Sequence, residues 1–212
     1  MKKMIFGLIA TTAIVFSACK KETTSTPTGC QKTGTARNIA DLPADTIIGV
    51  NNTPQGPQPY GANIKTYYSL VNDSVVPASD SSTLKWDIAL MNTEIHINEN
   101  AGSQSAAFVY NGVYDDLCSV PDSSFLTGNN AFVALKSWYS YDNTNFIVSP
   151  KPGKVLIFRT ANGKYVKMEI LNYYKGGITP TPAGDPSYSI RIYNARYYTF
   201  RYTYQADGSM NF

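Results

Sequence analysis

Histidine is nearly missing from this chain: His96, inside the stretch EIHIN, is the only one in 212 residues, beside two tryptophans and three cysteines. One imidazole cannot supply two axial nitrogens to a metal within one chain. The cysteines lack a C-x-x-C spacing and are too few and too scattered for a cysteine-based metal site. Also absent are H-E-x-x-H, G-x-S-x-G, a phosphate-cradling glycine loop and G-x-G-x-x-G. A Ser-His-Asp triad would have to use His96, and no nucleophile elbow accompanies it. Asp115-Asp116 reads as a solvated turn pair. Asp142-Asn143-Thr144-Asn145 lacks the glycine and the distal glutamate of a calcium loop. The residues therefore offer no catalytic set and no resident metal site.

Long apolar runs are missing except at the start. Lys2-Lys3 precedes an apolar segment from Met4 to Val15, then Phe16-Ser17-Ala18-Cys19. That order is a secretory signal, and the segment is short of the roughly 20 residues a membrane-spanning helix needs. Ser17-Ala18-Cys19 matches a bacterial lipobox, with Phe16 where leucine is usual, so Cys19 is the expected lipidation site and first mature residue. Residues 19–37 lack large apolar side chains and should form a flexible tether. Residues 38–212 should form one domain. Losing Lys2 and Lys3 with the leader, from 18 basic residues against 15 acidic ones, leaves a formal charge of about +1. Such a balance gives no electrostatic reason to expect nucleic acid. Cys30 and Cys118 then remain, either as a disulfide, which an envelope compartment permits, or as two free thiols.

Long 3.6-period stripes are missing as well, and what is present alternates. Tyr198, Phe200, Tyr202 and Tyr204 share one parity, with Thr199, Arg201 and Thr203 on the other. Further strands are expected around Tyr67–Leu70, Trp86–Leu90 and Ala107–Tyr110, separated by Gly, Pro, Asn, Asp and Ser clusters. Asn162-Gly163 between two apolar runs predicts a two-residue type I′ hairpin, which places Ile157 opposite Met168 and Val155 opposite Ile170. One short helix is expected near 122–127, after Pro121-Asp122. The fold class is all-β.

His96 can then be placed. Trp86, Ile88 and Leu90 have one parity and Ile95 and Ile97 the other, which calls for a bulge or bend near 91–93. Beyond it the isoleucines point inward, and His96 lies with Glu94 and Asn98 on the polar face, as a strand residue rather than a ligand.

The segments Trp86-Asp87-Ile88-Ala89-Leu90, Phe108-Val109-Tyr110-Asn111-Gly112, Phe158 to Lys167, and Tyr198 to Tyr204 form an ordered set. As a set, with the leader, it resembles the HmuY family of haem-binding lipoproteins of Gram-negative cell surfaces. The resemblance spans most of residues 65–205. It implies a hand-shaped all-β fold of two packed, mainly antiparallel sheets with haem held between extended loops, a lipid anchor in the outer membrane, non-catalytic haem and iron acquisition, and delivery to an outer-membrane haem transporter. In the family the iron is held by two histidines, or in some members by methionines. Here Asn143 holds one ligand position, after Trp138-Tyr139-Ser140-Tyr141, and the loop bearing the other is shortened. His96 lies in neither. Tyr139, Tyr141 and Trp138 then become the candidate haem contacts, with an alternative in which these aromatics only pack the loop base. Met91 sits at the expected bend, while Met168 reads as core. The other readings are a module for a non-haem ligand or protein partner on the same scaffold, and, more distantly, a glycan hydrolase.

Overall fold

The computed structural model describes residues 33–53, 56–121, 125–180 and 193–212. The leader, Cys19, Cys30 and most of the expected tether lie outside these residues. So do 122–124, half of the expected short helix.

Thirteen strands are described: β1 (Thr35–Pro43), β2 (Gly49–Thr53), β3 (Gly56–Tyr60), β4 (Thr66–Ser69), β5 (Ser74–Val76), β6 (Ile88–Met91), β7 (Glu94–Ile97), β8 (Ala106–Asn111), β9 (Tyr139–Asp142), β10 (Ile147–Pro150), β11 (Lys154–Arg159), β12 (Tyr165–Tyr174) and β13 (Ala195–Gln205). The α-helix α1 (Gly128–Leu135) lies among them. The main sheet has the order β1-β13-β12-β11-β8, and a second sheet has the order β5-β4-β6-β7. The pairs β2–β3 and β9–β10 stand apart as two-stranded hairpins. Every pairing is antiparallel. The chain is all-β, as expected from its alternation.

The core lies between the two larger sheets. Leu156, Phe158, Val166, Met168, Ile170, Tyr198, Phe200 and Tyr202 of the main sheet meet Tyr68, Ile88, Leu90, Ile95 and Ile97 of the second. Ala131 and Leu135 carry the inner face of α1 into the same cluster. The other face of the main sheet is covered too, since Val155 and Ile157 pack with Phe108, Tyr114, Leu117, Val120 and Phe212. The even-numbered aromatics of β13 point inward, as their parity requires.

The central hairpin differs from its expected register by one residue. Leu156, not Ile157, faces Met168, and Ile157 faces Lys167. Asn-Gly does mark the turn, but only Gly163 is left-handed, at φ 80°. The Gly163 N–H donates to the Thr160 carbonyl at 2.9 Å. This is a type I turn closed by a glycine bulge, which uses the same two residues over a longer loop. The one-residue slip reverses the faces. Lys167 is buried beneath the outer cluster, where its Nζ donates to the carbonyls of Tyr114 at 3.0 Å and Leu117 at 2.7 Å.

Three further differences have local causes. At the bulge or bend expected near 91–93 the chain reverses fully, with Met91 facing Glu94 across Asn92-Thr93, and Asn92 takes φ 54°. Ile88 and Leu90 therefore share a face with Ile95 and Ile97. Trp86 precedes β6 and escapes its parity, packing instead with Val76, Ala89 and Tyr67. The helix begins at Gly128, after the expected interval. Finally, β1 takes in Thr35, Ala36 and Arg37, the last residues of the expected tether. Arg37 pins the strand by donating to the carbonyls of Leu70 and Val71 and to the Tyr202 hydroxyl.

Candidate functional site

Trp138 closes a 3-10 turn after α1 and is 1% exposed. Its ring packs against Tyr139, Tyr198 and Tyr173 at centroid distances of 4.9, 5.3 and 5.8 Å. Its indole N–H donates to the Thr93 carbonyl at 3.0 Å. With every edge engaged, Trp138 is core and presents no face to a ligand. Burial raises Tyr173 and Tyr198 far above the ordinary phenol value, so both are neutral hydroxyls. They donate to the Asn92 side-chain oxygen and the Asn92 carbonyl, each at 2.9 Å.

The β9–β10 hairpin rises from this base. Tyr139 is half-buried, its hydroxyl 3.5 Å from Thr93 Oγ1. Tyr141 is 48% exposed, and Phe146 on the far side of the turn is 53% exposed. Asn143 falls in that turn. Asp142 organises the loop, accepting from the backbone N–H groups of Thr144 and Asn145 and from the Asn145 side chain. Its carboxyl lies below the ordinary range, chiefly through the Asn145 side-chain amide. The calcium-like look of this segment is thus an ordinary Asx turn. Among the described residues, no group of three His, Cys, Asp or Glu side chains could hold a metal.

His96 stacks on Phe132 of α1 at 4.7 Å, and its Nε2 is 3.2 Å from Glu94 Oε2. Burial first, and then Lys65, lower its affinity for a proton. It is partly covered by the helix rather than lying on an open polar face. Asn98 departs further from expectation. It is 1% exposed and donates to the carbonyls of Trp86 and Thr83.

A haem ligand set can be tested on these positions. Haem needs apolar surface and an axial donor. Trp138 is closed, Tyr139 is turned to its neighbours, and His96 is held between Glu94 and Phe132. Tyr141 alone of the expected set combines an oxygen donor with wide exposure. The fit is therefore to one phenol on an aromatic hairpin.

A second feature was not legible in the sequence. Beside the β6–β7 turn lies a cleft of about 400 Å³, lined by Asp45, Tyr60, Asn63, Met91, Asn92 and Arg196 among others. Asp45 and Arg196 pair at 3.0 Å with side chains 4% and 10% exposed. Asp45 also accepts from the Ile64 N–H at 3.1 Å. Four lining residues, Asp45, Asn63, Asn92 and Arg196, have φ between 54° and 69°. For Arg196 that conformation is costly, and such strain gathers at functional sites. The parts come from four distant segments, so no spacing announces them.

No protein-family model matches the sequence, and no curated protein matches it. Among solved structures, the chain is similar to the apo HmuY analog of Tannerella forsythia, at 12% identity over 81% of this chain and 95% of that one, with a TM-score of 0.44. It is similar to apo PinO from Porphyromonas gingivitis, at 13% identity over 81% and 98%, with a TM-score of 0.43. A Bacteroides vulgatus protein, provisionally named HmuY-like and heme-binding, aligns at 15% identity over 66% and 84%, with a TM-score of 0.41. Two of these neighbours are thus described as an HmuY analog and an HmuY-like protein. At such identities and TM-scores nothing about ligand or site follows from the likeness.

Proposed function

We propose that this chain is a non-catalytic binding protein of the cell envelope, tethered to the outer membrane through lipid on Cys19, and that its ligand is haem. The reading is supported by one observation above all: the β9–β10 hairpin, the segment that the sequence resemblance makes ligand-bearing, carries Tyr141 at 48% exposure over a closed aromatic base. Haem supplies the iron for coordination and a broad apolar face. Tyr141 would hold the iron through its oxygen, and Phe146 on the same hairpin would cover part of the ring. A phenolate favours ferric over ferrous iron, so affinity should fall on reduction. Delivery to an outer-membrane transporter belongs to the same reading. Among the described residues no helix is long and apolar enough to cross a membrane, so under this reading attachment rests on the lipid. The test is a haem titration followed in the Soret band.

A further inference from the structure

We propose that the cleft between the β2–β3 hairpin and the β6–β7 turn binds a neutral, hydroxyl-rich ligand, chemically the terminal ring of a glycan. The site is independent of the haem reading, which rests on the β9–β10 hairpin. Its volume of about 400 Å³ falls within the roughly 300–1,000 Å³ of small-molecule sites.

Charge excludes the simplest alternatives. Asp45 and Arg196 neutralise each other inside the wall. Glu94 is likewise engaged, with Oε2 3.2 Å from His96 and Oε1 3.5 Å from Lys136. An ion would have to draw a buried partner out of its pair, which leaves the other charge uncompensated. A neutral ligand avoids that cost.

The remaining lining is suited to hydroxyls. Asn51, Asn63 and Asn92 reach the cleft, and a primary amide both donates and accepts, as a hydroxyl does. The Asn92 oxygen is already occupied by Tyr173, so what Asn92 offers is its N–H groups. Tyr60 supplies the apolar element. A Cβ placed at Gly49 would lie 2.5–2.9 Å from the hydroxyl, Cζ and Cε1 of Tyr60, so glycine there makes room for the hydroxyl end of the ring. Tyr60 remains 43% exposed, and an aromatic ring with a polar tip offers apolar surface to the C–H face of a sugar.

The geometry is also fixed in advance of any ligand. A Cβ at Gly61 would meet the Asp45 carboxylate at 2.3 Å, so only glycine lets the strand end pass this close to the ion pair. The Ala44 N–H donates to the Arg196 carbonyl at 2.8 Å, and the Asn92 N–H donates to the Ala44 carbonyl at 2.9 Å. These bonds tie three of the walls together.

The experiment is saturation-transfer difference NMR on the mature protein with the methyl glycosides of glucose, galactose, mannose and N-acetylglucosamine, each at millimolar concentration. Transfer to the ring C–H protons of at least one glycoside is expected. It should vanish in Tyr60→Ala and persist in Tyr141→Phe. Asn63→Gly suits the left-handed backbone and keeps the fold, and it should weaken binding about fivefold, the loss of one or two net hydrogen bonds. Absence of transfer from all four glycosides overturns the proposal, as does transfer that survives Asn63→Gly undiminished. Haem titration of Asn63→Gly should match that of the parent, which separates failure here from failure of the haem reading.

Discussion

Trp138 and Thr93, 45 positions apart in the chain, are joined by a 3.0 Å hydrogen bond from the indole nitrogen to the Thr93 carbonyl. The bond fastens the base of the β9–β10 hairpin to the turn that edges the cleft. Trp138→Ala should therefore destabilise the fold by about 3–5 kcal/mol, the usual cost of emptying a buried tryptophan site. Trp138→Phe should cost less, since it keeps ring packing and loses mainly the bond. Urea denaturation of both variants checks the order. Equal stability of Trp138→Ala and the parent would remove Trp138 from the core.

The buried pair of Asp45 and Arg196 sets a second expectation. Removing one partner leaves a charge without compensation, so Asp45→Ala or Arg196→Ala alone should cost about 3–5 kcal/mol. The double variant should cost clearly less than the two losses combined. Additive losses in a double-mutant cycle would contradict a coupled pair.

His96 gives a pH dependence with a defined sign. Its folded pKa lies below the ordinary value of 6.5, because burial dominates and Lys65 adds to it, against the opposing pull of Glu94 and Glu99. Lys136 on Glu94 and Phe132 from α1 complete the surroundings. Below the ordinary value the unfolded chain binds a proton that the folded chain resists. The stabilising contribution is thus complete above that value and is lost as pH falls towards the lowered one. His96→Gln should flatten the fall in stability between about pH 7 and pH 5. An unchanged slope, measured by thermal unfolding across that range, would place His96 in open solvent.

The strands of the core were legible because each obeys a local rule: parity in β13, and apolar runs flanked by turn residues in β8 and β11. The register of β11 and β12 was not, because Asn-Gly serves both a two-residue turn and a longer loop with a glycine bulge. The reversal at Asn92-Thr93 showed only as a change of parity that a bulge or bend would also explain, since neither residue is Gly or Pro. Helix α1, at eight residues, is too short to show a stripe. For Trp138 the sequence leaves two readings, a haem contact or packing at the loop base, and the rings of Tyr139, Tyr173 and Tyr198 around it favour the second. The cleft was the least legible. Asp45, Tyr60, Asn92 and Arg196 carry no mutual spacing, and the fold alone brings them together.

Covalent chemistry at the cysteines separates two roles. Cys118 is disulfide-bonded, and if Cys19 carries lipid the expected partner is Cys30. Mass spectrometry of the non-reduced protein should find the Cys30–Cys118 peptide pair. Reduction should lower stability by about 4.6 kcal/mol on the chain-entropy account of a loop of this length. Cys19→Ser should abolish lipid labelling and release the protein from membranes without changing that pair. A Cys19–Cys118 pair would overturn the anchor assignment.

Haem capture by one phenol oxygen has a direct signature in the absorption spectrum. Haem titrated into the mature protein, followed in the Soret band in the ferric state and after dithionite reduction, should show saturable ferric binding that weakens on reduction. Tyr141→Phe should lose the ferric signal, and His96→Ala should keep it. A parent protein that gives no saturable Soret change, or a signal that disappears in His96→Ala and survives in Tyr141→Phe, would contradict the account.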